Sequence, residues 1–187
     1  MYKSRSDIIC ELGRERENVL KRQKTINIHK VESKFISDLA NYLKIPHLTL
    51  MRGMVRYGLE NITQHRNLIY REIYIGSVKD LAEVPIDFGK EEGWSLKWAK
   101  SLTFSYADIY SIQNLAKELG LTYSSLCRGI IKYETRMLAN ELNIRHRNVF
   151  CYTIRPLSLG NSGEDWDYNY VNPDFNINEW RKSKGWD

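Results

Sequence analysis

The stretch KTINIHKVESKFISDLANYLKIPHLTLMRGMVRYGL, Lys24 to Leu59, has a counterpart at Lys100 to Thr135, KSLTFSYADIYSIQNLAKELGLTYSSLCRGIIKYET. The offset is 100 − 24 = 76 positions and it holds without a gap. Lys24, Ile36, Leu39, Ala40, Leu43, Leu50, Arg52, Gly53 and Tyr57 are identical to Lys100, Ile112, Leu115, Ala116, Leu119, Leu126, Arg128, Gly129 and Tyr133. Elsewhere the residue type holds: Ile26/Leu102, Ile28/Phe104, Ile45/Leu121, Met54/Ile130, Val55/Ile131 and Arg56/Lys132. A shared register of this length marks two copies of one structural unit.

Each copy opens with alternation. Thr25, Asn27 and His29 face one side of a strand and Ile26 and Ile28 the other; Ser101, Thr103 and Ser105 alternate with Leu102 and Phe104 in the same phase. A helical period follows from about Glu32 to Lys44, with Phe35, Ile36, Leu39, Ala40 and Leu43 on one face. Pro46 interrupts it and suits the first turn of a second helix over about His47 to Asn61. In the second copy the first helix is expected from about Asp108 to Glu118, closed by Gly120, and the second from Thr122 toward Leu142. Gly53 and Gly129 fall inside the second helices, where glycine costs about 1 kcal/mol relative to alanine. Their recurrence implies close backbone approach, expected between the two second helices.

Beyond the copies, Ser6 to Arg22 is helix-compatible, with an incomplete apolar stripe among many charges. His65-Arg66-Asn67 recurs as His146-Arg147-Asn148, now 146 − 65 = 81 positions on. Strand-like sequence follows each: Leu68 to Ile75 and Val149 to Pro156. The expected organisation is an N-terminal helical flank over 1–23 and a first copy with a strand extension over 24–76. A connector over 77–99, a second copy with its extension over 100–156 and an aromatic, acidic tail over 157–187 complete it, the copies forming one compact domain.

The charge is uneven. The 187 residues carry a net +5. Residues 1–76 hold 14 Lys/Arg against 8 Asp/Glu, or 14 − 8 = +6; residues 77–187 hold 14 against 15, or −1. A basic half suits a polyanionic partner. Cys10, Cys127 and Cys151 are odd in number and scattered without a CxxC pair, which favours neither a zinc site nor a disulfide framework. No uninterrupted apolar run of signal-peptide or membrane-span length occurs, so a soluble cytoplasmic protein, without membrane association, is expected.

One such copy is too small to bury its own apolar faces. The natural partner of Ile26 and Ile28 is the equivalent strand of the other copy, in an antiparallel two-stranded ribbon backed by four helices. The bare ribbon face is then polar, and a two-stranded ribbon fits the DNA major groove. Here TINIHK…ISDLANYLKIPHLTLMRGMV and SLTFSY…SIQNLAKELGLTYSSLCRGII resemble the ribbon–helix–helix superfamily of the MetJ and Arc type. That family is normally a homodimer with one copy per chain; two copies in one chain resemble tandem relaxosome accessory proteins of conjugative plasmids. The fold implied is mainly α with short β, a tandem pseudo-dimer with extra flanking strands and an irregular C-terminal tail.

The resemblance implies base reading by Thr25, Asn27 and His29 and by Ser101, Thr103 and Ser105. It implies phosphate anchoring at the start of the second helices, by Leu48 and Thr49 and by Ser124 and Ser125, with Lys24, Lys30 and Lys100 flanking. It departs from the family pattern in having no Arg or Lys at the central reading positions. The function implied is sequence-specific binding of double-stranded DNA in the nucleoid, as a transcriptional repressor or a site-binding accessory protein of a mobile element, with self-association on adjacent sites. No cofactor is implied. His29, His47, His65 and His146 show no metal-ligand spacing, and no nucleophile or phosphate-loop motif accompanies the paired acids, so no enzyme is expected. The alternative is a protein-interaction module that keeps the fold without DNA binding, using the tail's Trp166, Tyr168, Tyr170 and Trp180.

Overall fold

A computed structural model of the chain describes residues 3–14, 20–28, 30–83 and 98–142. The described elements are mainly helical, with one two-stranded antiparallel sheet. In chain order they are α1 (Arg5–Gly13), β1 (Lys21–Ile28), α2 (Lys30–Tyr42), α3 (His47–Gln64), α4 (Leu68–Glu83), β2 (Trp98–Ser105), α5 (Tyr106–Leu119) and α6 (Tyr123–Glu141). No helix among the described residues is long and apolar enough to cross a membrane.

β1 and β2 pair so that Thr25 lies opposite Ser101, with Lys21 opposite Ser105 and Ile28 opposite Trp98. Thr25 and Ser101 are equivalent in the two copies, at 101 − 25 = 76. An antiparallel ladder centred on equivalent residues has a local two-fold axis through that pair. The alternation does what it predicts: Ile26, Ile28, Leu102 and Phe104 are buried on one face, over a core that includes Phe35, Ile36, Leu39, Leu50, Met54, Ile112, Leu115, Leu126, Ile130 and Ile131. Fully burying side chains of this size is worth roughly 1.5–3 kcal/mol each.

The two first helices end alike. In the second copy Gly120 adopts φ 69, and Leu121 N donates to Ala116 O at 2.8 Å. In the first copy the equivalent residue is Lys44, at φ 56, and Ile45 N donates to Ala40 O at 3.0 Å. Both are six-to-one closures around a left-handed residue. Glycine takes that conformation freely, whereas Lys44 is the one non-glycine residue with positive φ among those described.

Three expectations are corrected. Leu68 to Ile75, expected as a strand, is the first half of α4, and that helix occupies the start of the expected connector as far as Glu83. Its inner face is Tyr74, Ile75, Val78, Leu81 and Ala82, a helical spacing that continues past the β-branched and aromatic run. The N-terminal helix stops at Gly13 rather than Arg22, and β1 begins at Lys21, four residues before the alternation becomes visible. Gly53 and Gly129 do not face each other. A Cβ on Gly53 would lie 2.0 Å from the Ile9 carbonyl oxygen of α1, and one on Gly129 would lie 2.3 Å from the Val78 carbonyl oxygen of α4. The two long helices meet instead at Gly58, where a Cβ would come within 2.3 Å of Ile130 Cγ2. Each copy thus carries one more helix than the repeat reveals: α1 lies on α3, and α4 lies on α6. The expected strand extension at Val149 to Pro156 and the tail lie outside the described residues.

Two substitutions test this packing. Gly53→Ala should destabilise by about 1–3 kcal/mol in urea melts, because the obstacle is α1 backbone; an exposed helical glycine would respond with a gain of about 1 kcal/mol. Lys44→Gly should do the reverse and stabilise by up to about 1 kcal/mol, by relieving the left-handed backbone. An unchanged midpoint for Lys44→Gly would show that the position is unstrained.

Candidate nucleic-acid interface

The open ribbon face carries Lys21, Gln23, Thr25 and Asn27 from β1 and Ala99, Ser101 and Thr103 from β2. Thr25 and Ser101 are exposed at the centre, Gln23 lies opposite Thr103, and Asn27 lies opposite Ala99. Four of the expected base readers, Thr25, Asn27, Ser101 and Thr103, therefore share one face. Ser105 does not join them. Only 3% exposed, it caps α5: its Oγ accepts from Asp108 N at 3.1 Å, and its own N donates to Asp108 Oδ2 at 3.2 Å. His29 lies outside the described residues. Sequence reasoning missed Gln23 and Lys21, because it began the strand at Thr25. The signal was the symmetry itself: a ladder centred on Thr25 must extend as far before that residue as after it.

Lysines from the strands reach across to the helices of the opposite copy. Lys24 Nζ lies 5.5 Å from the centroid of the Tyr123 ring at the first turn of α6. There Ser124 and Ser125 are half-buried, and Thr122 caps the helix by accepting from Ser125 N at 3.1 Å. Lys100 is close enough to His47, at the first turn of α3, for its charge to lower the imidazole's basicity, adding to the larger effect of burial. Leu48 and Thr49 follow His47 and are half-buried. Burial also lowers the basicity of Lys100. Pro46, at the cap of α3, offers no side-chain hydrogen bond. Cations thus stand beside both helix N-termini, where backbone N–H groups and the helix dipole favour anions. Lys30's side chain lies outside the described set.

Behind the ribbon, the copies exchange charges. Arg56 of α3 donates to Asp108 of α5 through Nε at 3.1 Å and Nη2 at 2.8 Å. Lys132 of α6 pairs with Glu32 of α2, Nζ to Oε1, at 3.3 Å. Asp108 is the equivalent of Glu32 and Lys132 of Arg56, both by 76, so one contact is formed twice across the local axis. Burial works to raise the Asp108 carboxyl, but hydrogen bonds from Arg56 and Ser105 prevail and hold it below its ordinary value. Burial lowers the Lys132 ammonium, with Glu32 opposing.

The remaining buried acid among the described residues, Glu134, is structural. Glu134 accepts from Tyr74 Oη at 2.5 Å and from Arg5 Nη1 at 2.8 Å, joining α1, α4 and α6. Burial raises its carboxyl against the opposing effects of Arg5 and Tyr74. Tyr74 packs edge-on to Tyr133 at 4.4 Å, and the Arg5 guanidinium stands 5.3 Å over the Tyr57 ring. With every oxygen engaged and no exposed surface, Glu134 fastens α1 and α4 and offers a substrate nothing. Cys127 is buried, as its helical position implies, and burial raises its thiol. No group of His, Cys, Asp or Glu able to hold a metal occurs among the described residues.

Lys132→Met alone should cost about 1–3 kcal/mol in urea unfolding, because it removes one of the cations, Arg128 being another, that face the buried Glu32 carboxylate, whereas adding Glu32→Leu should restore part of the loss. Additive losses in the double variant would mean the two side chains act independently. No family model, no curated protein and no solved structure matches the chain.

Proposed function

We propose that the chain is a sequence-specific double-stranded DNA-binding protein of ribbon–helix–helix type. In this reading both halves of the reading head come from one polypeptide. The observation that carries it is the ladder centred on Thr25 and Ser101: it buries the apolar alternates of both copies and turns the polar ones outward together. A two-stranded ribbon enters the major groove, where Asn and Gln pair bidentately with adenine, Ser and Thr are permissive, and an alanine methyl suits the thymine methyl. Lys24 beside α6 and Lys100 beside α3 would hold the phosphates on either side of the ribbon.

The two strands present different chemistry. Gln23 and Asn27 come from β1, whereas β2 supplies Ala99, Ser101 and Thr103. Operator palindromy mirrors protein symmetry, so unlike strands would select a non-palindromic site. The role would be that of a repressor or a site-binding accessory protein. A second reading, a protein-interaction module on the same fold, draws on the absence of a cationic reader from β2.

The test is selection of bound sequences from a random duplex pool, followed by titration of variants on the winning site. Asn27→Ala should lose about 1–3 kcal/mol on that site and little on random DNA. Lys24→Ala should weaken binding to every sequence and flatten its salt dependence. If no sequence is enriched, or Asn27→Ala leaves affinity and specificity intact, the ribbon is not a DNA-reading head and the interaction-module reading takes its place.

A further inference from the structure

α4 carries apolar side chains on both sides, with the exposed Glu72 set among the outer ones. Its inner face is buried against α6, but Ile69 and Ile73 on the opposite side are 75% and 50% exposed. Gly76 continues that outer stripe, completing an i, i+4, i+7 row. Gly13, Gly53, Gly58 and Gly129 each sit where a Cβ would strike a neighbour, whereas a Cβ on Gly76 would meet nothing within 4 Å among the described residues. A mid-helix glycine costs about 1 kcal/mol, and here no described neighbour accounts for it.

The path of the chain supplies an occupant. α4 and α6 run antiparallel, with Tyr74 beside Tyr133 and Glu134 and Val78 beside Gly129. The last turn of α6, ending at Glu141, therefore lies near the first turns of α4. Beyond it the sequence repeats His-Arg-Asn at 146–148 and continues Val149, Phe150, Cys151, Tyr152, Thr153, Ile154. The first His-Arg-Asn builds the turn into α4: His65 Nδ1 accepts from Asn67 N at 3.2 Å, and Asn67 Oδ1 accepts from Tyr70 N at 3.2 Å. That turn delivers α4 to the Gly129 groove of α6. The equivalent groove of α3, at Gly53, is already filled by α1. The apolar residues that follow the second His-Arg-Asn in sequence have no symmetric berth left on α3, and the exposed row on α4 is close to the end of α6. The seven residues from Leu142 to Val149 can reach about 25 Å.

We propose that residues 149–154 of this same chain cover the outer face of α4 along Ile69, Ile73 and Gly76. The pairing removes Ile69 and Ile73 from solvent.

The experiment uses the full chain with Cys10→Ser, keeping the buried Cys127 and the native Cys151. Ile69→Cys and Ile73→Cys are introduced separately, oxidised mildly with diamide, and mapped by peptide mass. A disulfide to Cys151 within a monomer is expected from at least one of them, with little from Tyr110→Cys, an exposed position near the start of α5, as the control. Links between two copies, equal trapping from Tyr110→Cys, or no link from either α4 position would overturn the proposal. Gly76→Ala supplies an independent readout without cysteine chemistry. A melting temperature that is unchanged or lowered is expected of a covered face, and a rise, as at an open helical glycine, would overturn it.

Discussion

The exchange of buried charge between the copies constrains everything else in this fold. Arg56 finds its carboxylate on α5 and Lys132 finds its on α2, so these two buried cations are each paired with the opposite copy. Removing such charges from water costs several kcal/mol per ion, and their mutual attraction does little more than offset it. The pairs are therefore poor candidates for net stabilisation. Their effect is on choice: a compact packing that slides one strand along the other buries a cation away from its acid. A one-residue slip would also turn the buried Ile26 and Ile28 out of the core. The ladder register and the ion pairs thus specify the same arrangement by independent means.

The arginines of the long helices extend that arrangement outward. Arg56 Nη1 also donates to the carbonyl oxygens of Leu12 at 2.6 Å and Arg14 at 3.1 Å, closing the end of α1. Arg128 donates to the carbonyl oxygen of Ala82 near the end of α4. A helix leaves its last carbonyls without intrahelical partners, and a guanidinium is well suited to take them. In each copy the leading helix is therefore seated twice, by backbone approach at a glycine and by an arginine at its end. Glu134 adds a third fastening by drawing Arg5 and Tyr74 together, so that α1, α4 and α6 meet at one buried carboxylate.

What the sequence discloses follows from where symmetry is enforced. The buried half of each copy must fit the same axis, so Ile26/Leu102, Leu50/Leu126 and Gly53/Gly129 keep their types, and strand phase, helix order and core faces can be read directly. The leading helices are harder, because α1 and α4 share a berth without sharing a sequence. In α4 the run of Leu68 to Ile75 favours a strand by composition, and only the later Val78, Leu81 and Ala82 reveal the helical period. The first half of β1 is charged and exposed, so no alternation marks it. The glycines announced a close approach but not its partner, since proximity is a tertiary fact. Ser105 was legible in a way that the offset obscured: Ser followed three residues later by Asp108 is the pattern of a capping box, and that local bonding removes it from the open face.

Joining the two copies in one chain changes what the ribbon can become. In a dimer of identical chains every substitution on the open face appears twice. Here the connection makes assembly intramolecular, at an effective concentration set by the link rather than by expression. Only the buried residues then remain bound to the axis, because each must still meet its counterpart in the core. The outward ones are released from it, and they have diverged: Gln23 stands where the other strand has Ala99, and Asn27 where it has Thr103. Lys44 and Gly120 show how far this freedom goes, since the same left-handed closure is kept with a residue that fits it poorly in one copy and well in the other. The frame is symmetric because packing and charge pairing demand it, and the surface is not because nothing in the core requires it to be.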